Sequence, residues 1–344
     1  MIERSMCLLF LIFILLVILL LPLCSRTIER QLESFLLCSG IIAVIWSGQL
    51  SLPFIKEALQ TPLIITFAVF CASILFALAH PLLIRIVLFW DRRLPRKLFL
   101  ALFPIILGLL SSVITAIIAA FILATIVPML RLEKTAATRF AILNCFAIGL
   151  GAVLTPIGEP LATITTAQLN VPFHFLFYLL SPTVIPFLIF ISVIVYFFMP
   201  TKATPKTQEP VQQSSFIWTA VTRSFKIYLF VLALHLLGAS FEPFATTYLV
   251  HLTPSTLYWL NTISAILDNA TLAAAEMTSA LPLDSVKAIL IGLLLSGGML
   301  IPGNIPNIII AKQLNISSSD WAKFGLPFGF LLMTLYYIVM QFGG

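Results

Sequence analysis

Two acidic residues stand inside otherwise apolar stretches: Glu159 in Thr155-Pro-Ile-Gly-Glu-Pro160, and Asp268 in Ser264-Ala-Ile-Leu-Asp-Asn269. A carboxylate at mid-membrane costs ~2.5–3.5 kcal/mol on insertion scales, and it draws cations while repelling anions. Asp268 has Asn269 beside it and Ser264 and Thr271 close in sequence, a set of oxygen donors suited to a hard cation. One carboxylate for which proton and cation compete is the simplest exchange device. The alternative for Asp268 is a structural carboxylate that ties a hairpin together, and a structural role stands equally open for Glu159. Glu276, further along the same hairpin, is expected near the outer surface in a structural role.

A second source of polarity is the backbone. Pro and Gly interrupt two apolar runs, at Thr155-Pro-Ile-Gly-Glu-Pro160 and at Pro302-Gly-Asn-Ile-Pro-Asn307. A helix broken in mid-bilayer frees N–H and C=O groups that lipid cannot satisfy, so an ion or substrate is the natural partner. The broken ends offer partial charges of both signs and do not by themselves choose the ion.

Other chemistry finds little support. His80, His174, His235 and His251 have no partner at metal-ligand spacing, and structural roles are expected for all four. The five cysteines lie within or beside apolar runs and read as small hydrophobes. An intramembrane enzyme would need a His-Glu-x-x-His motif, paired catalytic aspartates or a serine nucleophile with a histidine partner, and none stands out. No enzyme activity and no cofactor are expected.

The elements that must position these groups follow from composition. Of 344 residues 60% are hydrophobic and 9% charged, a balance that makes lipid the solvent. Apolar runs cover 6–24, 35–52, 62–90, 98–130, 140–164, 174–199, 216–239 and 324–340, and a spanning helix needs ~20 such residues. Their continuous rather than alternating apolarity predicts helices and excludes a barrel. The first run, long enough to span and without a clear cleavage site, reads as an uncleaved helix. The net charge of +6 sits in short clusters between runs, where it orients the chain and does not bind nucleic acid.

The run 98–130 is too long for one upright span and has basic clusters at both ends, 91–97 and 131–139. The positive-inside rule puts both ends in the cytoplasm, which predicts a re-entrant hairpin with Ser111, Ser112 and Thr115 at its tip. A matching hairpin over 256–281 is expected to enter from outside. With these assignments 15 basic residues lie inside and only Arg4, Lys56 and Lys287 outside, with Arg85 snorkelling from within a span.

The two halves also align. Ile114-Thr-Ala-Ile-Ile meets Ile263-Ser-Ala-Ile-Leu, the stretch 151–160 meets 297–306, and Ala167-Gln-Leu-Asn170 meets Ala311-Lys-Gln-Leu-Asn315 with one insertion. This predicts an all-α polytopic membrane protein built of two inverted repeats, each with a re-entrant hairpin and a Pro/Gly-interrupted helix. The expected divisions are N-terminal transmembrane helices (1–61), a first repeat (62–199), a flexible cytoplasmic linker (200–215) and a second repeat (216–344).

On the motifs Ser264-Ala-Ile-Leu-Asp-Asn269, Leu300-Ile-Pro-Gly-Asn-Ile-Pro-Asn307 and Leu154-Thr-Pro-Ile-Gly-Glu-Pro160 the chain resembles the ion transporter superfamily. It is most similar to bacterial predicted cation transporters, and more distantly to NhaD-type sodium/proton antiporters and arsenite or dicarboxylate carriers. The resemblance, over 62–340, implies hairpin tips and unwound helices that bind Na+ together, often a homodimer, and the bacterial inner membrane. It implies tip positions at Ser112, Thr115, Ser264, Asp268 and Asn269, and unwound positions at Thr155, Gly158, Glu159, Gly303, Asn304 and Asn307. Na+ is expected at Asp268, Asn269 and Asn304. The first hairpin departs from the pattern, with Ala119 and Ala120 opposite Asp268 and Asn269, as does Ala270-Thr271 where the antiporters tend to carry Val-Pro. The resulting expectation is a secondary transporter exchanging Na+ for H+, with Na+-coupled transport of an organic or inorganic anion as the alternative.

Overall fold

The computed structural model of the chain describes residues 10–18, 21, 25, 28, 31–200, 216–266 and 269–342, and every regular element among them is a helix. After a helical stretch at 10–18 these are, in chain order, α1 (Leu32–Ser47), α2 (Leu52–Arg93), α3 (Arg96–Ile114), α4 (Ala116–Met129), α5 (Lys134–Ala152), α6 (Pro160–Leu169) and α7 (Phe175–Phe198). There follow α8 (Phe216–Phe244), α9 (Pro254–Leu260), α10 (Asn269–Glu276), α11 (Leu283–Gly297), α12 (Ile305–Gln313) and α13 (Ser318–Phe342). A π-helical turn, Ala245–Leu249, extends α8, and a 3-10 turn, Asn261–Ala265, extends α9. Past Pro200, the linker expected over 200–215 lies outside the described residues.

Among the described residues five helices are long and apolar enough to cross a membrane: α3, α5, α7, α8 with its π turn, and α13. They differ in what surrounds them. On α7 the side chains of Tyr178, Ile189, Val193, Phe197 and Phe198 are exposed, a surface that belongs against lipid. By contrast α5 is buried continuously over 140–152 and α11 over 288–297, so these two form the centre of the molecule. Small residues permit their close packing. Gly108 of α3 crosses Gly151 of α5 so tightly that a Cβ on Gly151 would overlap the Gly108 carbonyl oxygen.

The stretch 98–130 is divided at Thr115 into α3 and α4, which pack against each other. Arg96 at the start of α3 pairs with Asp91 at 2.5 Å and donates to the Leu130 carbonyl just past α4. The chain therefore leaves this pair of helices at the end where it entered. At 19 residues α3 is long enough to cross a bilayer, while α4, at 14, is not. In the second half α9 and α10 have 7 and 8 residues, far short of a span. Asn261 Nδ2 donates to Glu276 Oε2 at 2.8 Å and ties those two arms together. Glu276, expected near the outer surface, is 6% exposed at the end of α10, which packs on α6, α8 and α11.

Candidate functional site

The helix breaks after α5 and α11 are built alike. Each preceding helix ends on a small residue, Ala152 or Gly297, and the chain then turns back so closely that a glycine is required. A Cβ on Gly158 would overlap the Ala152 carbonyl, and one on Gly303 would lie 2.5 Å from the Gly297 oxygen. Leu154 N–H donates to Gly151 O and Gly158 N–H to Thr155 O, as Met299 donates to Ser296 O and Gly303 to Leu300 O. The next residue is extended in both, Glu159 at φ −156°, ψ 159° and Asn304 at φ −153°, ψ 146°, and each opens a half-helix, α6 or α12. Both half-helices end at an asparagine near φ 51°, Asn170 and Asn315, with Val171 N–H on Thr166 O and Ile316 N–H on Ala311 O.

One constant offset relates all these pairs, which corrects the alignment drawn from sequence. That alignment set Gly158 against Asn304 and needed an insertion; the backbone sets Gly158 against Gly303 and Glu159 against Asn304, with none. The prolines misled it, since Pro156 and Pro302 are not equivalent, whereas the close approach to the preceding helix fixes the glycines. At the first hairpin α4 begins directly after Thr115. Leu267 and Asp268 themselves lie outside the described residues.

Each hairpin tip touches the break of its own half. Ala116 N–H donates to Gly158 O at 2.7 Å, Thr155 Oγ1 donates to Ser112 O, and Ser111 Oγ donates to Ile148 O at 2.9 Å. In the second half Ser296 Oγ donates to Asn261 O at 2.7 Å, and Gly303 packs on the Ser264 carbonyl. Ser112, Thr115, Thr155, Gly158 and Glu159 thus gather in one half, and Ser264, Asn269 and Gly303 in the other, around Gly297. Asn304 reaches across: its Nδ2 lies 3.0 Å from where a Cβ on Gly149 of α5 would be.

Sequence reasoning assigned the freed carbonyls to an ion, but protein groups meet several of them. Asn307 Nδ2 donates to Gly297 O at 2.8 Å and Leu300 O at 2.9 Å, and Trp321 Nε1 donates to Gly298 O at 3.3 Å. Asn307 therefore spends its donors on holding the break, while its buried Oδ1 has no hydrogen-bond partner among the described residues. Asn144 and Asn261 are in the same state, each with Nδ2 bonded and Oδ1 not. Among the described residues no three His, Cys, Asp or Glu side chains group closely enough to hold a metal ion. A cation at this centre would rely on hydroxyl, carboxamide and carbonyl oxygens, the donors that suit a hard ion. Asn144, Asn261, Ser296 and Trp321 were missing from the candidate set, and Ser111 entered only as a residue of the expected hairpin tip; their one sequence signal is a polar group or indole N–H in a stretch destined for the core.

A protein-family model described as "Protein of unknown function (DUF1646)" matches residues 8–342. The chain belongs to the DUF1646 family. Comparison with curated proteins gives no match.

One residue of this DUF1646 chain is conspicuous for its backbone. Thr115 has φ 79° and ψ 148°, a region that is nearly glycine-only and costs a β-branched residue of order 1–3 kcal/mol. Its hydroxyl accepts from Ile118 N–H at 3.4 Å, a weak cap for α4. Thr115→Gly is expected to raise the thermal unfolding midpoint in detergent, because relief of strain exceeds the loss of that cap. An unchanged or lower midpoint would show that Thr115 is held without strain.

Proposed function

We propose that the chain is a secondary active transporter of a small cation, exchanging Na+ for H+ by alternating access between two inverted repeats. The observation that carries this reading is the pair of matching helix breaks, each pressed against the polar tip of its own half's hairpin at the centre of an apolar molecule. In lipid, irregular backbone is tolerated only where protein encloses it or where it lines a path for ions or water, and buried polar groups there mark such paths.

Packing between the halves supports the inversion. The returning arm α4 packs on α12, the half-helix of the second half, and α10 packs on α6, the half-helix of the first. With the basic clusters at 91–97 and 131–139 inside, α4 and α12 run from the break level toward the cytoplasm, and α6 and α10 toward the outside. Each half therefore supplies its hairpin to one side of the membrane and its half-helix to the other, the symmetry that alternating access requires. In this reading α3–α4 and α9–α10 are re-entrant hairpins, the membrane is a bacterial inner membrane, and the protein works without an organic cofactor, as a homodimer.

The test is proton flux in proteoliposomes holding a pH gradient, with Na+, Li+ and K+ added in turn and Asp268→Asn run beside the parent. Cation-triggered dissipation that the substitution abolishes is the expected result. Silence toward every cation, in protein shown to be folded, would end the exchange reading and direct the search to sodium-coupled anions.

A further inference from the structure

The carboxyl of Glu276 is enclosed without a counter-charge. Among the described residues it forms no ion pair and accepts one hydrogen bond, from Asn261 Nδ2 at 2.8 Å. A charge buried away from water is costly unless it is paired. Asn261, fully buried, is itself fixed. Its Nδ2 also donates to Leu257 O at 3.0 Å, a carbonyl that can only accept, and this settles which way the amide points. Its backbone carbonyl takes the Ser296 hydroxyl at 2.7 Å, and α11 passes its Cβ at Gly292, where an added methyl would lie 3.1 Å away. Both Nδ2 hydrogens are thus spent, yet the buried Oδ1 of the same amide meets no donor among the described residues.

A carboxylic acid and a primary amide pair through two coplanar bonds, amide N–H to the acid carbonyl and acid O–H to the amide oxygen. The first of these bonds is present. A proton on Glu276 would supply the second, removing the buried charge and the unmet Oδ1 together. Other titratable groups on the elements packed against α10 are engaged or directed elsewhere. On α8, His235 stacks on Phe54 and Glu242 is exposed, while Arg223, Lys226 and Tyr228 stand ten or more residues before Gly238, which meets the Ala274 carbonyl. Tyr248 of the π turn and Asp284 of α11 are exposed, and Lys287 of α11 makes no ion pair among the described residues. Past Glu159 at its cap α6 carries none, and Tyr258 of α9 gives its hydroxyl to Met333 O at 2.8 Å.

Glu276 ends α10, seven residues beyond Asn269, which borders the second break at Gly297. At ~1.5 Å per residue the carboxyl stands about 10 Å from that break, on the side that the basic clusters at 91–97 and 131–139 leave outward. Asn261 opens the 3-10 turn that holds Ser264 of the hairpin tip.

We propose that Glu276, bonded to Asn261, is the proton-binding site of the exchange, separate from the cation centre at the breaks and outward of it. The inference rests on the exchange reading, to which it adds the residue that takes the proton. Uptake of H+ by the carboxylate forms its O–H bond and the hydrogen bond to Oδ1, so that α9 and α10 are tied twice; release of the proton to water breaks one tie. The turn at 261–265 joins this tie to the tip where Na+ is expected, and filling of one site acts on the other through the hairpin.

Infrared spectroscopy reads the proton without reference to transport. Between neutral and alkaline buffers, where exposed carboxylates hold no proton, the parent should lose a carboxylic-acid C=O band that Glu276→Gln lacks at every pH. Glutamine can make both bonds to Asn261, so the variant imitates the protonated form and should fold. Should it not, glutamate carrying heavy carbon in its carboxyl must shift the band of the parent, and Glu159→Gln must retain it. In proteoliposomes Glu276→Gln should reduce Na+-triggered proton flux to background, while calorimetry still finds Na+ binding, now without pH dependence. A carboxyl that only ties the hairpin would leave flux and pH dependence as in the parent. That result, or the absence of a titrating band assignable to Glu276, would overturn the proposal. A titrating band in a parent without cation-driven flux would instead leave Glu276 as a proton site and defeat the exchange reading alone.

Discussion

Gly158→Ala should yield almost no folded protein: a collapsed monodisperse peak on size exclusion in detergent and little material recovered from membranes. The added methyl would overlap the Ala152 carbonyl, which is backbone at the end of a helix buried on every side. A side chain can swing away from such a contact, but here relief requires shifting the end of α5 or the start of α6. The start of α6 is held by Thr163 on the Pro156 carbonyl, and the loop itself by Ala116 on the Gly158 carbonyl. Overpacking against movable neighbours costs typically ~1–3 kcal/mol, and a backbone collision at the molecular centre exceeds that in a protein whose whole stability is of order 5–15 kcal/mol. Gly48→Ala is the control. Gly48 has a φ of 70° but nothing within 4 Å of its added methyl, so only the modest cost of a left-handed alanine applies. Normal yield and melting of Gly158→Ala would mean that the chain does not pass so close to Ala152.

Much of this architecture is legible in sequence because lipid leaves the backbone few options. Continuous apolar runs become helices, and Pro with Gly marks the two breaks within a residue or two. The division of 98–130 into two helices follows from a length beyond one upright span, and Arg96 at the start of α3 reaches Leu130 just past α4. What failed to read out depends on contacts between residues far apart in the chain. Register between the breaks is set by glycines meeting the preceding helix, and prolines, which only end a helix, carried the alignment astray. Asn307 looks like an ion ligand until its donors are traced to Gly297 and Leu300. Gln168 and His235 sit in unremarkable company by sequence, yet one reaches α10 and the other meets α2. Glu276 was expected near the outer surface from its place late in the hairpin, whereas Asn261, fifteen residues earlier, bonds it in a buried position.

The equivalence of Glu159 and Asn304 permits a sharper test of where the cation binds. The two residues share a backbone conformation at the start of a half-helix, are 5% and 4% exposed, and differ in that one is acidic and the other is not. Neither side chain caps the first-turn amides of its own helix. Glu159→Gln keeps shape and volume and removes the charge. If Glu159 contributes to the cation site, cation-triggered proton flux falls to background while the melting temperature holds, since the amide keeps the shape and volume of the carboxylate. If the carboxylate only complements the positive end of α6, flux survives and stability drops by about 0.3–1 kcal/mol, the usual worth of a charge at a helix end. Asn304→Asp supplies the reciprocal measurement. A carboxylate placed at the equivalent position beside Gly149 should bring the half-maximal Na+ concentration down, because the same centre then carries one more negative charge. Flux intact in Glu159→Gln and a Na+ response unmoved in Asn304→Asp would together exclude the paired breaks as the place where the ion is held, and turn the test to the other acidic candidate of the sequence, Asp268.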